Sequence, residues 1–322
     1  MPLVALSTGI RTWYELAGPE SGARVLYIGG SQTTLLLRDD APPSSSSPHM
    51  ERLRPWAALA DAGFRVMGFD LRGIADADKP TGPYTMQEYA DDAAALLEET
   101  GWAAAGPVGV VGVSFGGMIL WHLALRHPAL VQCGAICCGP PGGAAGDGWR
   151  CGDGAPYPYH ELSTRWYSHP REHTLAVMHL TDSRQDTEWQ AAHPEEVAAA
   201  VATAEAQARA CNAGPLGAAG AEALMQCRGH HSSATSGDIA TLTLPLLCAG
   251  GRYDAMVLPS TVEQAVATVN SGNASKANAN AAFFEGGHGF LGQDPAAWEE
   301  VSKFLLRAAA GAADVSGRPS TL

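Results

Sequence analysis

Positive charge is scarce in this sequence: 20 Lys and Arg stand against 33 Asp and Glu in 322 residues, a net charge of −13. The basic residues form no cluster, so neither a nucleic-acid backbone nor an anionic membrane surface is an expected partner. The acidic excess is spread along the chain and reads as a solubility feature. No apolar stretch reaches the roughly 18 residues of a membrane-spanning helix, so no membrane span is expected. The opening segment MPLVALSTGIRTWYEL lacks a basic region ahead of a long apolar run, and a cleaved secretory leader is not expected either. Cysteine is present but not in pairs that would chelate. Cys133, Cys137, Cys138, Cys151, Cys211, Cys227 and Cys248 contain no C-x-x-C motif, and they read as free thiols, which points to a cytoplasmic setting. His230 and His231 are adjacent, so their side chains diverge, and no carboxylate follows four residues on; no metal site is expected. Internal repeats are absent too.

What the chain has in quantity is apolar residues, 46%, and 37 glycines. The length accommodates one large α/β domain with an insertion, or two modest domains. RVLYI (residues 24–28) and FRVMGF (64–69) are short apolar runs closed by Gly29-Gly30 and by Asp70, the pattern of buried strands. Between them APPSSSSP (41–48) predicts an exposed loop, and the segment from about Met50 to Ala62 an amphipathic helix. Thr85-Met86-Gln87-Glu88 has capping-box spacing and predicts a helix running to about Thr100. PVGVVGV (107–113) predicts another strand, FGGMILWHLALRHP a helix that stops before Pro128, and LVQCGAICC (130–138) the next strand. The rhythm then breaks at GPPGGAAGDG into a long helix-like stretch bearing Trp, Tyr and His. Strand character returns at TLPLLCAG (243–250), with a helix near 259–269, a strand AAFFE (281–285) and a last helix from Pro295 to about Ala308. The expected organisation is an α/β core over residues 1–139 and 241–310, an inserted helical cap at 140–240, and a tail at 311–322.

The stretch VVGVSFGGMIL places Ser114 between a predicted strand and a predicted helix. In a chain so rich in glycine, G-x-S-x-G arises by chance in roughly one such sequence in four, so its context must carry the argument. Serine is a weak nucleophile at neutral pH and needs a base within hydrogen-bond reach, held in the right tautomer by an acid. Asp254 follows the strand LLCAG within GGRYD, and His288 follows AAFFE within GGHGF. Nucleophile, acid and base thus each sit just after a predicted strand, in the chain order Ser, Asp, His.

On these residues the chain resembles the α/β-hydrolase fold superfamily, over its core from about Leu3 to Leu306. FRVMGFDLRGIADADKP resembles that family's D-x-R-G-x-G-x-S-x-x-P segment, GVSFGG its nucleophile elbow, and TLPLLCAGGRYDAMVLP and FFEGGHGF its acid and histidine loops. Within the superfamily the sequence is most similar to cap-bearing esterases, enol-lactone hydrolases and cofactor-free perhydrolases. The resemblance implies an α/β fold with a mostly parallel central sheet flanked by helices and an inserted helical cap. It implies Ser114 as nucleophile, His288 as base and Asp254 as acid, with no metal or organic cofactor. The backbone N–H of Phe115 and that of Ser31, with Gln32 next, are the expected oxyanion donors. Two departures stand out: Gly29-Gly30 replaces the usual His-Gly of that loop, and Ala75 and Ala77 replace a Gly and a Ser of the longer segment. Asp70 and Arg72 are expected to order the loop beyond their strand.

In the insertion, Tyr157, Tyr159, His160, Trp166, Tyr167 and Trp189 either face a substrate or pack the cap's own interior; spacing alone does not orient them. VAAAVATAEAQARA (197–210) reads equally as a mobile lid helix or as a surface helix. The functional expectation is a serine hydrolase acting on a small or medium-sized carboxylic ester or lactone, with water as second substrate. A carbon–carbon hydrolase or a perhydrolase would use the same triad. A ligand-binding receptor with little turnover would share the fold.

Overall fold

A computed structural model describes residues 3–31, 55–142, 168–212, 234–272 and 278–315, together with Ala219. Its strands are β1 (Leu3–Ala5), β2 (Arg11–Ala17), β3 (Arg24–Ile28), β4 (Arg65–Phe69), β5 (Val108–Val113), β6 (Val131–Cys137), β7 (Leu246–Gly251) and β8 (Ala279–Phe284). They form one sheet in the order β1-β2-β4-β3-β5-β6-β7-β8, antiparallel at β1–β2 and β2–β4 and parallel everywhere else. β3, β5 and β7 are buried along almost their whole length, as a sheet covered by helices on both faces requires. This explains why these strands read as continuous apolar runs rather than as alternating ones.

The helices are α1 (Pro55–Asp61), α2 (Met86–Glu99), α3 (Phe115–Arg126), α4 (Pro170–Thr181), α5 (Thr187–Ala192), α6 (Pro194–Cys211), α7 (Ser236–Ile239), α8 (Pro259–Gly272), α9 (Phe290–Gln293) and α10 (Pro295–Val315). α2 begins as its sequence predicts: the Thr85 side chain accepts from the Glu88 amide, and the Glu88 carboxylate accepts from the Thr85 amide. α10 runs further than the sequence pattern predicts, reaching Val315 and so entering the segment expected to be a tail. Apolar side chains gather in two clusters. One is centred on α2, α3 and α8, with Leu26, Tyr89, Phe115 and Trp121. The other is built from Tyr27, Trp56, Phe64, Phe304 and Leu305, with α1 and α10.

The topology creates a crevice. β3 is bonded on one side to β4 and on the other to β5, so the chain leaves the carboxyl ends of β3 and β5 in opposite directions. Ligands of open α/β sheets bind outside the strand ends at such a switch point. Register then brings distant segments together: Ile28 pairs with Gly112, Val113 with Cys137, Cys137 with Ala249, and Gly251 with Phe284. The loops after β3, β5, β6, β7 and β8 therefore emerge side by side along one edge.

The segment after β4 is tied down by a buried ion pair. Arg72, 5% exposed, donates from Nε and Nη2 to Asp92, 2% exposed, at 2.6 and 2.7 Å. Asp92 also accepts from Thr8 Oγ1 at 2.6 Å. The Arg72 carbonyl accepts from Tyr89, whose ring packs edge-on against Phe115 at 5.1 Å. Ala75, standing where the resembled pattern has Gly, holds φ at 48°, the left-handed region that a β-carbon disfavours. Its amide is bonded to the Cys211 carbonyl at the end of α6, so this loop holds the helical excursion as well. Asp92→Ala would strand the Arg72 charge in the interior; we expect it to lower the unfolding free energy by about 3–5 kcal/mol in urea titrations. A loss below about 1 kcal/mol would mean that Glu88, the other partner of Arg72, carries the pairing.

Candidate active site

Ser114 sits between β5 and α3 with φ 54° and ψ −116°, a strained conformation for a residue with a side chain. The neighbouring glycines explain how the turn is accommodated. A β-carbon on Gly116 would lie 2.1 Å from the Ile28 carbonyl oxygen, and one on Gly112 would lie 2.4 Å from that of Gly116. The turn is thus jammed between β3 and α3, and any larger residue at Gly116 would push α3 off the sheet. The Ser114 amide is bonded to the Cys137 carbonyl at 2.8 Å, which locks the turn to β6.

From this turn the Ser114 Oγ lies 2.8 Å from His288 Nε2, and His288 Nδ1 lies 2.8 Å from Asp254 Oδ2. Asp254 is 2% exposed, and its Oδ1 accepts from the backbone amides of Met256 and Val257 at 2.8 and 2.9 Å. Two amides therefore hold one carboxylate oxygen and aim the other at the imidazole. This geometry places the proton on Nδ1 and leaves Nε2 free to accept from the serine. Burial of the imidazole opposes its protonation, but the neighbouring Cys138 sulfur and the Asp254 carboxylate outweigh that cost, and the His288 pKa lies well above its ordinary value.

Cys138 stands where β6 ends, with φ at 45° and its Sγ 3.4 Å from the His288 carbonyl oxygen. Among the described residues, Cys138, Asp254 and His288 form the one group whose donor atoms, all within 4.8 Å of one another, could hold a metal ion. Sulfur, nitrogen and carboxylate oxygen are donors suited to zinc. Here the Nδ1 and Oδ2 atoms are spent on each other, and a cation would have to break that bond. The other described cysteines, Cys133, Cys137, Cys211 and Cys248, are free and buried. Burial pushes the Cys133 and Cys248 thiols up to about 12, far from a reactive thiolate.

The serine and the histidine open onto a cavity of about 970 Å³. Its floor includes Gly30, Ser31, Val113 and Met256; its far wall comes from α4, through His173, Val177 and Met178, and from α6, through Ala199, Ala200, Thr203 and Ala204. Ser31 is buried and lines the same cavity as Ser114. Phe115 opens α3, so its amide is among the free donors of a helix start. Trp189 lines the cavity and stacks on His193 with ring centroids 4.3 Å apart. Gln32, Tyr157, Tyr159, His160, Trp166, Tyr167, His230 and His231 lie outside the described residues, as do Cys151 and Cys227. The small residues of α6 lie in the stretch 197–210 that the sequence offered as a lid or surface helix, whereas His173 was not singled out by sequence reasoning. The signal available was the i, i+4 spacing of His173 and Val177, which puts both on one helix face.

The sequence profile described as alpha/beta hydrolase fold matches residues 53–150. The enol-lactonase of Burkholderia xenovorans superposes with a TM-score of 0.65 at 16% identity, over 96% of this chain and 100% of that one. This chain has the α/β-hydrolase fold. An esterase of Exiguobacterium antarcticum with this fold superposes at 0.68 and 17% identity, over 94% of this chain and 98% of that one. Among curated sequences, bifunctional epoxide hydrolase 2 of Rattus norvegicus is 32% identical over 77 residues, which is 23% of this chain and only 13% of the rat protein's length. Among the described residues no helix is long and apolar enough to cross a membrane.

Proposed function

We propose that this protein is a serine hydrolase that cleaves a small or medium-sized carboxylic ester or lactone through an acyl-enzyme on Ser114. The observation that carries this reading is the continuous chain of 2.8 Å contacts from Asp254 through His288 to Ser114, opening onto the cavity. His288 Nε2 takes the Ser114 proton as Oγ attacks the carbonyl carbon, and the amides of Phe115 and Ser31 stabilise the negative charge that forms on the carbonyl oxygen. Collapse of the tetrahedral intermediate breaks the ester C–O bond, and His288 returns the proton to the leaving alkoxide. Water, deprotonated by the same nitrogen, then attacks the acyl carbon and restores Ser114. Asp254 keeps the imidazole in the productive tautomer and stabilises its cationic form.

The likeness to an esterase and an enol-lactonase supports an ester or lactone as the bond cleaved. A cavity of about 970 Å³ suits a substrate of modest size. In this reading α4, α5 and α6 belong to the cap, over residues 140–240, and Trp189 is its described aromatic contact with substrate. The buried free thiols support a reducing, cytoplasmic setting.

The test is hydrolysis of p-nitrophenyl butyrate and of simple lactones across a pH range. His288 works as a base only when neutral, and its pKa is raised. The rate should therefore fall as pH drops through a value above 6.5, the ordinary pKa of histidine. Absence of turnover on every ester and lactone tried would overturn the reading. An acid limb below 6.5 would mean that burial of the imidazole outweighs the Cys138 sulfur and the Asp254 carboxylate.

A further inference from the structure

The end of α4 touches the catalytic loops directly. A helix leaves its last four carbonyls without intrahelical donors. In α4 the Leu180 carbonyl accepts from the amide of Ala255, next to Asp254, at 3.1 Å, and the Thr181 carbonyl accepts from the amide of His288 itself at 2.5 Å. The Ser183 amide, just beyond the helix, donates to the Tyr253 carbonyl at 2.9 Å. The acid loop and the histidine loop are thus joined through one helix end, which belongs to the excursion between β6 and β7 rather than to the sheet. The same end carries the negative pole of the helix dipole, beside the imidazole that becomes cationic during turnover.

One side chain fastens this junction. Gln293 Oε1 accepts from the Gly287 amide at 2.8 Å, and its Nε2 reaches Asp182 Oδ2 at 3.5 Å. Asp182, 3% exposed, is held in turn by the guanidinium of Arg184, which stacks over the Tyr253 ring at 4.1 Å. There is no slack in the packing: a β-carbon on Gly287 would lie 2.0 Å from the Thr181 carbonyl oxygen and 2.7 Å from the Asp182 Cα.

We propose that the carboxyl end of α4 is a positioning element of the active site, and that Gln293 is the positioning residue that locks it onto the His288 loop through the Gly287 amide and Asp182. The inference rests on the serine-hydrolase reading. It makes this part of the cap a fixed component of the triad's support: displacement of α4 would carry His288 away from Ser114. Gln293 bonds neither Ser114 nor the Nε2 atom, but with Asp182 it lines the cavity, so a positioning role is read in the rate of the covalent step and a change of cavity shape in ligand affinity.

The experiment is the inactivation kinetics of the whole protein with a small fluorophosphonate, resolved into the maximal rate and the half-saturating concentration, with mass spectrometry locating the adduct. Gln293→Met keeps the length and removes both polar atoms. It should lower the maximal rate about five- to tenfold, the worth of one hydrogen bond, with half-saturation unchanged within about twofold. Gln293→Glu keeps an oxygen for the Gly287 amide but sets a second carboxylate against Asp182; combined with Asp182→Asn, whose NH2 can donate back to it, it should restore most of that rate, a rescue that a packing role would not give. Gly287→Ala should cost more than either; should it fail to fold, the Gln293 pair carries the test alone. A Gln293→Met rate within twofold of the unaltered protein, or equal losses in Gln293→Met and in the Gln293→Glu/Asp182→Asn combination, would overturn the inference while leaving Ser114 as nucleophile. No adduct on Ser114 in the unaltered protein would overturn the serine-hydrolase reading, and this inference with it.

Discussion

Ser114→Ala is expected to abolish the fluorophosphonate adduct and to reduce ester turnover by about four to six orders of magnitude, with the fold intact. The reason is chemical: removing Oγ removes the nucleophile and leaves only the oxyanion donors and the cavity to assist direct attack by water. Residual catalysis of that kind is small. The fold should survive because the backbone at this position is held from outside, by the bond from its amide to Cys137 and by the close packing of Gly116 on Ile28. The side chain contributes no cap hydrogen bond to α3, so its removal costs the helix nothing of that kind. Intact-mass spectrometry checks the adduct, and circular dichroism the fold. A variant that still forms a single adduct would move the nucleophile to another residue and would remove the basis of the proposed function.

Much of this arrangement was legible in the sequence, for a definable reason. Strands buried on both faces are largely apolar, so β3, β5, β6 and β7 announced themselves as short apolar runs, and the chain order of the elements then fixed where Ser114, Asp254 and His288 emerge. The Thr85 capping box was readable because its two partners lie three residues apart. What stayed hidden depends on register and on packing between distant segments. Cys138 read only as a free thiol at the end of a predicted strand; the alignment of β6 with β7 and of β7 with β8 brings it against the His288 carbonyl. Gln293 gave no signal at all, since its partners Gly287 and Asp182 belong to a loop and to the end of a remote helix. Composition predicted the helix at 197–210, but neither α4 nor the side on which either helix meets the cavity was readable. Ala75 shows the reverse case, in which a departure from the resembled pattern is visible in sequence and its conformational consequence, a positive φ, only in the structure.

Asp254→Asn should be almost as damaging as loss of the serine, by about four orders of magnitude in turnover, although it changes a single atom from oxygen to nitrogen. Oδ1 and Oδ2 of Asp254 have different tasks, the first accepting from the Met256 and Val257 amides and the second from His288 Nδ1. An asparagine must use its carbonyl oxygen for the two amides, because an NH2 group there would face donors. Its NH2 is then directed at Nδ1, which can only accept, and the imidazole proton moves to Nε2. In that tautomer Nε2 donates to Ser114 and cannot take its proton. Substrate affinity should be preserved, since Asp254 lies behind the histidine and does not line the cavity. The His288 pKa should also fall, because the carboxylate that helps to raise it is gone. Steady-state kinetics would therefore show a collapsed kcat with KM nearly unchanged, and partial recovery at high pH, where hydroxide substitutes for the missing base. Unchanged kcat in a folded variant would assign the acid to another carboxylate; a rise in KM of the same size as the fall in kcat/KM would instead mean that Asp254 shapes the cavity.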